Sequence, residues 1–596
     1  MKNFFKSFFA SLVALFVFAG LGLALLMAFA AMGSSKPTVP DKAILVFDLS
    51  TTLPDSVQEP GPGEALQNAL QGGESDGLPL RTAILALDRA AKDPRIAALY
   101  LTGNIRSGGY SGGPAALKEL REALHRFKKE SGKPVLSYNQ GWSKREFYLC
   151  AGLGGLTVNP FGAVDISGLS SEPMFFGEAF RKYGIEVQVT KVGKYKSAVE
   201  PYILDRMSEP AREQSQKLLG DIWGEWKATV AADRKLAPEA IQKVADEQAI
   251  LMAAEAKQAG LVDRISPYDD VLAELKRLSG KQDKDRDFPQ IELATYVQVP
   301  FDPVKGKNRI AILYAEGEIV DGDGGPGLIG GDKLSKDLRR LRMDKAIKAV
   351  VLRVNSPGGS ASASEVIQRE VILTRKEKPV VVSMGHLAAS GGYWISTYGD
   401  RIFAEPTTIT GSIGVFGLLP NVKKLANEHG ITFDQVLTAR MGNMASLSRP
   451  KTEAEIARIQ SLVDHIYDQF LTKVSESRKL PKDAVHEIAQ GRVWSGQEAL
   501  KLKLVDELGG LQDAIRHAAR MAKVEGDYRV DPPAAAKKPI EKILESLGGG
   551  KRRPMAARLG PWGQLKGEVE HQLRLLGSLN DPMGIYARMP FDLSLR

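Results

Sequence analysis

Short continuous apolar runs alternate with longer stretches of helical period along most of the chain. AALYL at 97–101, AVVLRV at 349–354 and PVVVSM at 379–384 are runs of the first kind. AALKELREALHRFKKE at 115–130 and ASEVIQREVILTRKE at 363–377 are of the second. Apolar runs separated by helices of about 12 to 15 residues predict buried parallel strands joined by crossover helices, an α/β fold. One run departs from this alternation. From Phe8 to Ala30 the chain is apolar but for Ser11, and no charge falls between Lys6 and Lys36. That length suits a membrane-crossing helix of roughly 20 residues, and Lys2 and Lys6 ahead of it favour an inside N-terminus with the remainder exported. A cleaved signal peptide is the competing reading, because AFA at 28–30 matches an A-x-A cleavage site. Signal-peptide cores are shorter, about 7 to 15 residues, which favours an uncleaved anchor.

The pattern also occurs twice. GKPVLSYNQGWSKREFYLCAGLGGLTVNPFGAVDISGL answers EKPVVVSMGHLAASGGYWISTYGDRIFAEPTTITGSIGV, with Pro134 on Pro379, Tyr148 on Tyr393, Pro160 on Pro406 and Gly168 on Gly414. The offset stays near 245 residues from there to the LVD triplets ending at Asp263 and Asp506. Two α/β domains of one fold follow, since an internal repeat marks a duplicated structural unit. The predicted organisation is a stub and anchor at 1–36, a first repeat at 43–277, a charged linker at 278–307, a second repeat at 308–530 and a basic tail at 531–596.

Candidate chemistry lies where the repeats differ. In LRVNSPGGSASASE a strand ends at Asn355 and a helix begins soon after Ser360, so Gly358 and Gly359 are candidate oxyanion-hole donors. The competing view is a plain Pro-Gly-Gly turn. Ser412, between two glycines in ITGSIGVFG, aligns with Ile166, so only the second repeat offers a nucleophile there. A serine hydroxyl needs a base. His386 in MGHLAASGG is one candidate, in a triad with Ser390, but no acid stands beside it. KVGKYKSAVEP in the first repeat offers Lys196, which aligns with Gly442. Each repeat thus has one reactive group that its twin lacks, which pairs Lys196 as base with Ser412. Acting near pH 7 to 8 requires the lysine pKa to fall by roughly 2 to 3 units, which burial away from carboxylates achieves. Lys191 and Lys194 are the rival lysines.

Composition narrows the function. Lys plus Arg exceed Asp plus Glu by 80 to 71, and a good part of the surplus lies in KK at 537 and KRR at 551. That placement suits a solvated or membrane-surface tail better than the basic face of a nucleic-acid binder. Cys150 is the single cysteine, which excludes an intramolecular disulfide and a cysteine metal cluster.

NSPGGS, MGHLAASGGYW, TGSIGVFG and GKYKSAVEPY occur with the apolar N-terminus and the duplication, and together they resemble the signal peptide peptidase A family of the long bacterial type, also called protease IV. The resemblance covers roughly residues 40 to 530. It implies a fold like that of the Clp proteases and crotonases, a serine–lysine dyad without cofactor or metal, and a bowl-shaped homotetramer. It also implies work at the exported face of the bacterial inner membrane, on leftover signal peptides. By motif it makes Ser412 the nucleophile, Lys196 the general base and the Gly359 amide an oxyanion donor. Ser390 falls where the Clp proteases keep their nucleophile and is read as structural, while Thr438 is a candidate for the hydroxyl that orients the lysine. Two other classes compete: a crotonase-type acyl-CoA enzyme and a catalytically inactive membrane scaffold.

Overall fold

The computed structural model describes residues 37–56, 77–105, 113–300, 306–530 and 585–589. The anchor expected at 1–36 and most of the tail expected at 531–596 lie outside the described residues. Among those described, no helix is long and apolar enough to cross a membrane.

The first repeat supplies strands β1 (Ala43–Asp48), β2 (Ile96–Thr102), β3 (Val135–Trp142), β4 (Leu156–Asp165), β5 (Glu186–Lys191), β6 (Ile250–Met252), β7 (Arg264–Ile265) and β8 (Gln290–Glu292). The second supplies β9 (Asn308–Glu316), β10 (Glu318–Val320), β11 (Leu328–Gly330), β12 (Ile347–Ser356), β13 (Gly358–Ser360), β14 (Val380–Ala389), β15 (Arg401–Ala404), β16 (Ile409–Gly411), β17 (Phe416–Asn421), β18 (Val493–Ser495), β19 (Glu507–Leu508) and β20 (Tyr528–Val530). A last strand, β21 (Ile585–Arg588), comes from the tail.

Each repeat has its own mainly parallel sheet, ordered β6-β4-β3-β2-β1-β8 in the first and β18-β16-β14-β12-β9-β20 in the second. The runs that predicted strands are these strands. In β12 every residue but Lys348 is buried, and Val350 lies between Ala311 and Val380 in register with both. Such two-sided burial explains the unbroken apolar run, because crossover helices cover both faces. The predicted helices are found at Pro114–Ser131 and Ala361–Glu377. Ser360 caps the second of these by accepting from the Ala363 amide at 3.1 Å.

Within the segment 278–307, expected to be a linker, a short strand adds to the edge of the first sheet. β8 pairs with β1, and Tyr296 is fully buried with its hydroxyl on Asp93 at 3.1 Å. In the second repeat β20 holds the equivalent edge beside β9. The charged stretch before β8 hid this strand, which has only three residues.

A third sheet, ordered β11-β10-β13-β21-β17-β5, joins the repeats. β5 crosses from the first repeat to pair antiparallel with β17 over six residues, from Lys191↔Phe416 to Glu186↔Asn421. A buried ionic cluster makes a second junction. Arg353 on β12 reaches Asp55 at 2.9 Å and Glu119 at 2.6 Å, both from the first repeat, and none of the three side chains is more than 5% exposed. Nearby, Glu316 accepts from the Ser56 amide and hydroxyl at 3.0 and 2.9 Å. Burial, with the Asp55 charge adding to it, pushes the Glu316 carboxyl up to about 7. A carboxyl raised on folding contributes stability that is full below its unfolded pKa and lost as pH climbs through the folded one. Stability is therefore expected to fall between about pH 4.5 and 7, and Glu316→Gln to flatten that fall in urea titrations. An unchanged slope would assign the effect to another group.

Candidate active site

The third sheet brings the candidate residues together. After β5, the Tyr195 amide donates to the Gln490 carbonyl at 3.0 Å, and Gln214 holds the Tyr195 carbonyl at 2.8 Å and the Ser197 hydroxyl at 3.2 Å. The Arg492 guanidinium lies between the Tyr195 and Trp494 rings, 4.6 Å from each centroid. So clasped, the first repeat delivers Lys196 into the second, where the side chain is fully buried. Two glycines make the room. A β-carbon at Gly491 would lie 2.6 Å from Lys196 Cβ, and one at Gly414 would lie 3.3 Å from Lys196 Cδ.

Lys196 Nζ lies 3.0 Å from Ser412 Oγ, 2.8 Å from Ser390 Oγ and 3.2 Å from the Ser412 carbonyl oxygen. No carboxylate pairs with this amine among the described residues. Burial holds its pKa well below the usual lysine value, and the Arg588 guanidinium adds to the effect by repulsion. An amine kept uncharged within hydrogen-bond reach of a hydroxyl can take its proton. Lys191 and Lys194 do not reach the serine: Lys191 ends β5, and the Lys194 ammonium stands over the Tyr195 ring at 5.1 Å.

Ser412 follows β16 with φ of +51°, and its amide donates to the Arg492 carbonyl at 2.7 Å. The first repeat makes the same bond from Ile166 to the Ala249 carbonyl at 2.8 Å, so the aligned positions coincide in structure as well. Ser390 also has φ of +54°. Two non-glycine residues in this sparsely populated region are strained by about 1–3 kcal/mol each, a feature that clusters at working sites.

Gly358 and Gly359, with φ of +97° and +154°, form β13 at the rim of the site. The Gly358 amide donates to Ser356 Oγ at 3.2 Å. A β-carbon at Gly359 would lie 2.0 Å from the Ile319 carbonyl oxygen, so no other residue fits without moving β10.

The hydroxyl on the lysine is that of Ser390. Thr438 is solvent-exposed in an irregular segment, whereas Lys196 is fully buried. Reading Ser390 as merely structural therefore missed its polar contact; the signal was its place in the Ala-Ala-Ser-Gly-Gly turn, which ends β14 beside β16. His386 stands apart. Its ring packs against Gly113, its Nδ1 has no hydrogen-bond partner among the described residues, and burial with the Arg145 charge lowers it to about 4.

Known proteins resemble this chain over most of its length. The model for peptidase family S49 matches twice, over residues 127–282 and 372–525. The chain is 33% identical to Protease 4 of Haemophilus influenzae across 97% of its own length and 96% of that protein. It is 33% identical to the chloroplastic serine protease SPPA of Arabidopsis thaliana, covering 78% of this chain and 70% of that one. It is 37% identical to a putative signal peptide peptidase SppA of Enterococcus faecium, over 30% of this chain and 52% of that one. With the family model matched once in each repeat and near full-length likeness to Protease 4, the chain belongs to peptidase family S49 and is a serine peptidase.

Proposed function

We propose that this peptidase works through a Ser412–Lys196 dyad, held in the bacterial inner membrane by residues 8–30 with both repeats on the exported side. Its substrates are released signal peptides and other apolar peptides, and four copies assemble. The observation that carries the dyad is the 3.0 Å separation of Lys196 Nζ and Ser412 Oγ, with burial keeping the amine neutral. Lys196 takes the serine proton as Oγ attacks a peptide carbonyl. The oxyanion forms against the Gly359 amide, with Gly358 shaping the turn. The lysine then hands its proton to the leaving amine, and water hydrolyses the resulting ester. Ser390 holds the amine in line.

Apolar substrates are supported by two buried apolar clusters next to the segments that carry Lys196 and Ser390, one with Leu218, Ile222, Leu387, Ile409 and Val493 and another with Ala198, Val199 and Phe416. The name of the Enterococcus faecium relative points to signal peptides, and the apolar run at 8–30 would place the enzyme where these are released. Membership of a peptidase family sets aside the acyl-CoA and scaffold readings. A fluorophosphonate probe on the detergent-solubilised full chain tests the dyad. Mass spectrometry is expected to find the adduct on Ser412, absent in Ser412→Ala and retained in His386→Ala. An adduct on Ser390 instead, or loss of labelling only in His386→Ala, would sink the assignment.

A further inference from the structure

Gln214 lies on the helix Glu209–Arg234 of the first repeat and is 1% exposed. Its side-chain amide is bonded at both ends. Nε2 donates to the Tyr195 carbonyl at 2.8 Å and to the Ser197 hydroxyl at 3.2 Å, so it straddles Lys196. Oε1 accepts from the Val493 amide at 3.3 Å. A backbone carbonyl can only accept and a backbone N–H can only donate, which fixes this orientation of the amide. Val493 follows Arg492, whose carbonyl takes the Ser412 amide at 2.7 Å. One side chain thus bridges the loop that carries the amine and the strand that steadies the hydroxyl.

Two observations separate this residue from an ordinary buried amide. The helices Glu209–Arg234 and Glu453–Arg478 each have 26 residues, and laying Arg234 on Arg478 puts Gln214 on Arg458, which is exposed. The glutamine therefore stands only in the copy that has the lysine. Nor does the helix depend on it for anchorage. Leu218 and Ile222, on the same helix face as Gln214, pack with Ile409 and Val493. Asp221 accepts from the Ser495 hydroxyl at 2.8 Å, and Lys217 reaches Glu498 at 3.4 Å. Those contacts seat the helix on the second repeat, while the side-chain bonds of Gln214 go to the lysine loop and to Val493.

We propose that Gln214 is a positioning residue of the peptidase, which sets the reach of the Lys196 amine toward the serine hydroxyls by holding the chain on both sides of the lysine. This rests on the reading of Lys196 as the base. A lysine side chain is long and turns freely, so its amine keeps 3.0 Å to Ser412 Oγ and 2.8 Å to Ser390 Oγ only while its backbone is fixed. A displacement of about 1 Å can cost on the order of 10²-fold in rate. Glu213, the neighbour of Gln214, adds to the hold. It accepts from the Tyr195 hydroxyl at 3.1 Å and pairs with Arg492 at 3.0 Å.

Kinetics of the full chain carrying Gln214→Leu, which nearly keeps the volume and removes the three bonds, test this. On a peptide, kcat is expected to fall about 10- to 100-fold with KM within about twofold. The alkaline limb of activity is expected to move to higher pH, as a loosened amine regains water and with it the usual lysine behaviour. In a Lys196→Met background the same substitution is expected to change the fluorophosphonate labelling rate by less than about twofold, since a residue that acts through the lysine has nothing left to act on. Ser495→Ala, which unties the same helix at Asp221, is expected to lower the urea midpoint and leave kcat within about twofold. Gln214→Asn, an amide one methylene too short to span both sets of bonds, is expected to lose kcat in the same direction and carries the test if the leucine variant does not fold. An unchanged kcat in the Gln214 variants, an equal loss in the Lys196→Met background, or an equal loss in Ser495→Ala overturns the positioning role. Full activity in Lys196→Met overturns the base, and this proposal with it.

Discussion

Lys196→Met is expected to slow peptide hydrolysis by at least about 10²–10⁴-fold, the usual contribution of a positioned general base, while making the fold more stable. The second effect follows from linkage. Unfolded, the lysine titrates near 10.5; folded, burial holds it well below that. Between the two values the unfolded chain binds a proton that the folded chain lacks, so the stability due to this group is complete above the unfolded pKa and is lost as pH falls toward the folded one. At neutral pH Lys196 therefore opposes folding, and an apolar side chain of similar length removes the opposition. Paired measurements at pH 7, of kcat/KM on a peptide and of the urea midpoint, check both halves. Lys196→Arg should be as inactive as Lys196→Met, because a guanidinium stays charged. In the wild type, activity should climb with pH as the amine loses its proton. A flat profile from about pH 6 to 9, with activity retained in Lys196→Met, would remove the lysine from the mechanism.

Arg353→Met is expected to destabilise the fold by about 3–5 kcal/mol, because it strands Asp55 and Glu119 in a buried site without a counter-charge. The same change should abolish fluorophosphonate labelling at denaturant concentrations where the wild type still reacts. Arg353 belongs to the second repeat and its partners to the first, so loosening this junction also loosens the path that brings Lys196 to Ser412. The triple variant with Asp55→Asn and Glu119→Gln should recover much of the loss, since neutral amides tolerate the site better than bare carboxylates. Urea titrations of the single and triple variants measure this. A single-variant loss below about 1 kcal/mol would mean that water reaches the cluster, as at surface ion pairs.

Much of the architecture was legible because the duplication doubled every signal. β12 and β14 announce themselves as unbroken apolar runs, and alignment of Gly168 with Gly414 isolated Ser412 by showing Ile166 in its twin position. The same subtraction paired Lys196 with it, and the two side chains meet in the fold. What stayed hidden depends on contacts between distant segments. Ser390 touches the lysine across 194 positions of sequence, and Gly491 makes room for it from a turn with no motif of its own. Arg353 reads as a lone charge within an apolar run, and only the folded chain shows Asp55 and Glu119 meeting it. β8 and β21 have three and four residues, too few for a period of two to declare itself, and β21 lies in a segment whose proline and basic clusters suggest no core.

The crossing of β5 into the other repeat has a bearing on how such an enzyme is made. Lys196 and Ser412 stand 216 positions apart, and the turn that seats the lysine comes later still, at Gln490 and Gly491. With the proposed dyad, a growing chain is chemically inert until nearly all of both copies has left the ribosome, and cutting power switches on as a last act of folding.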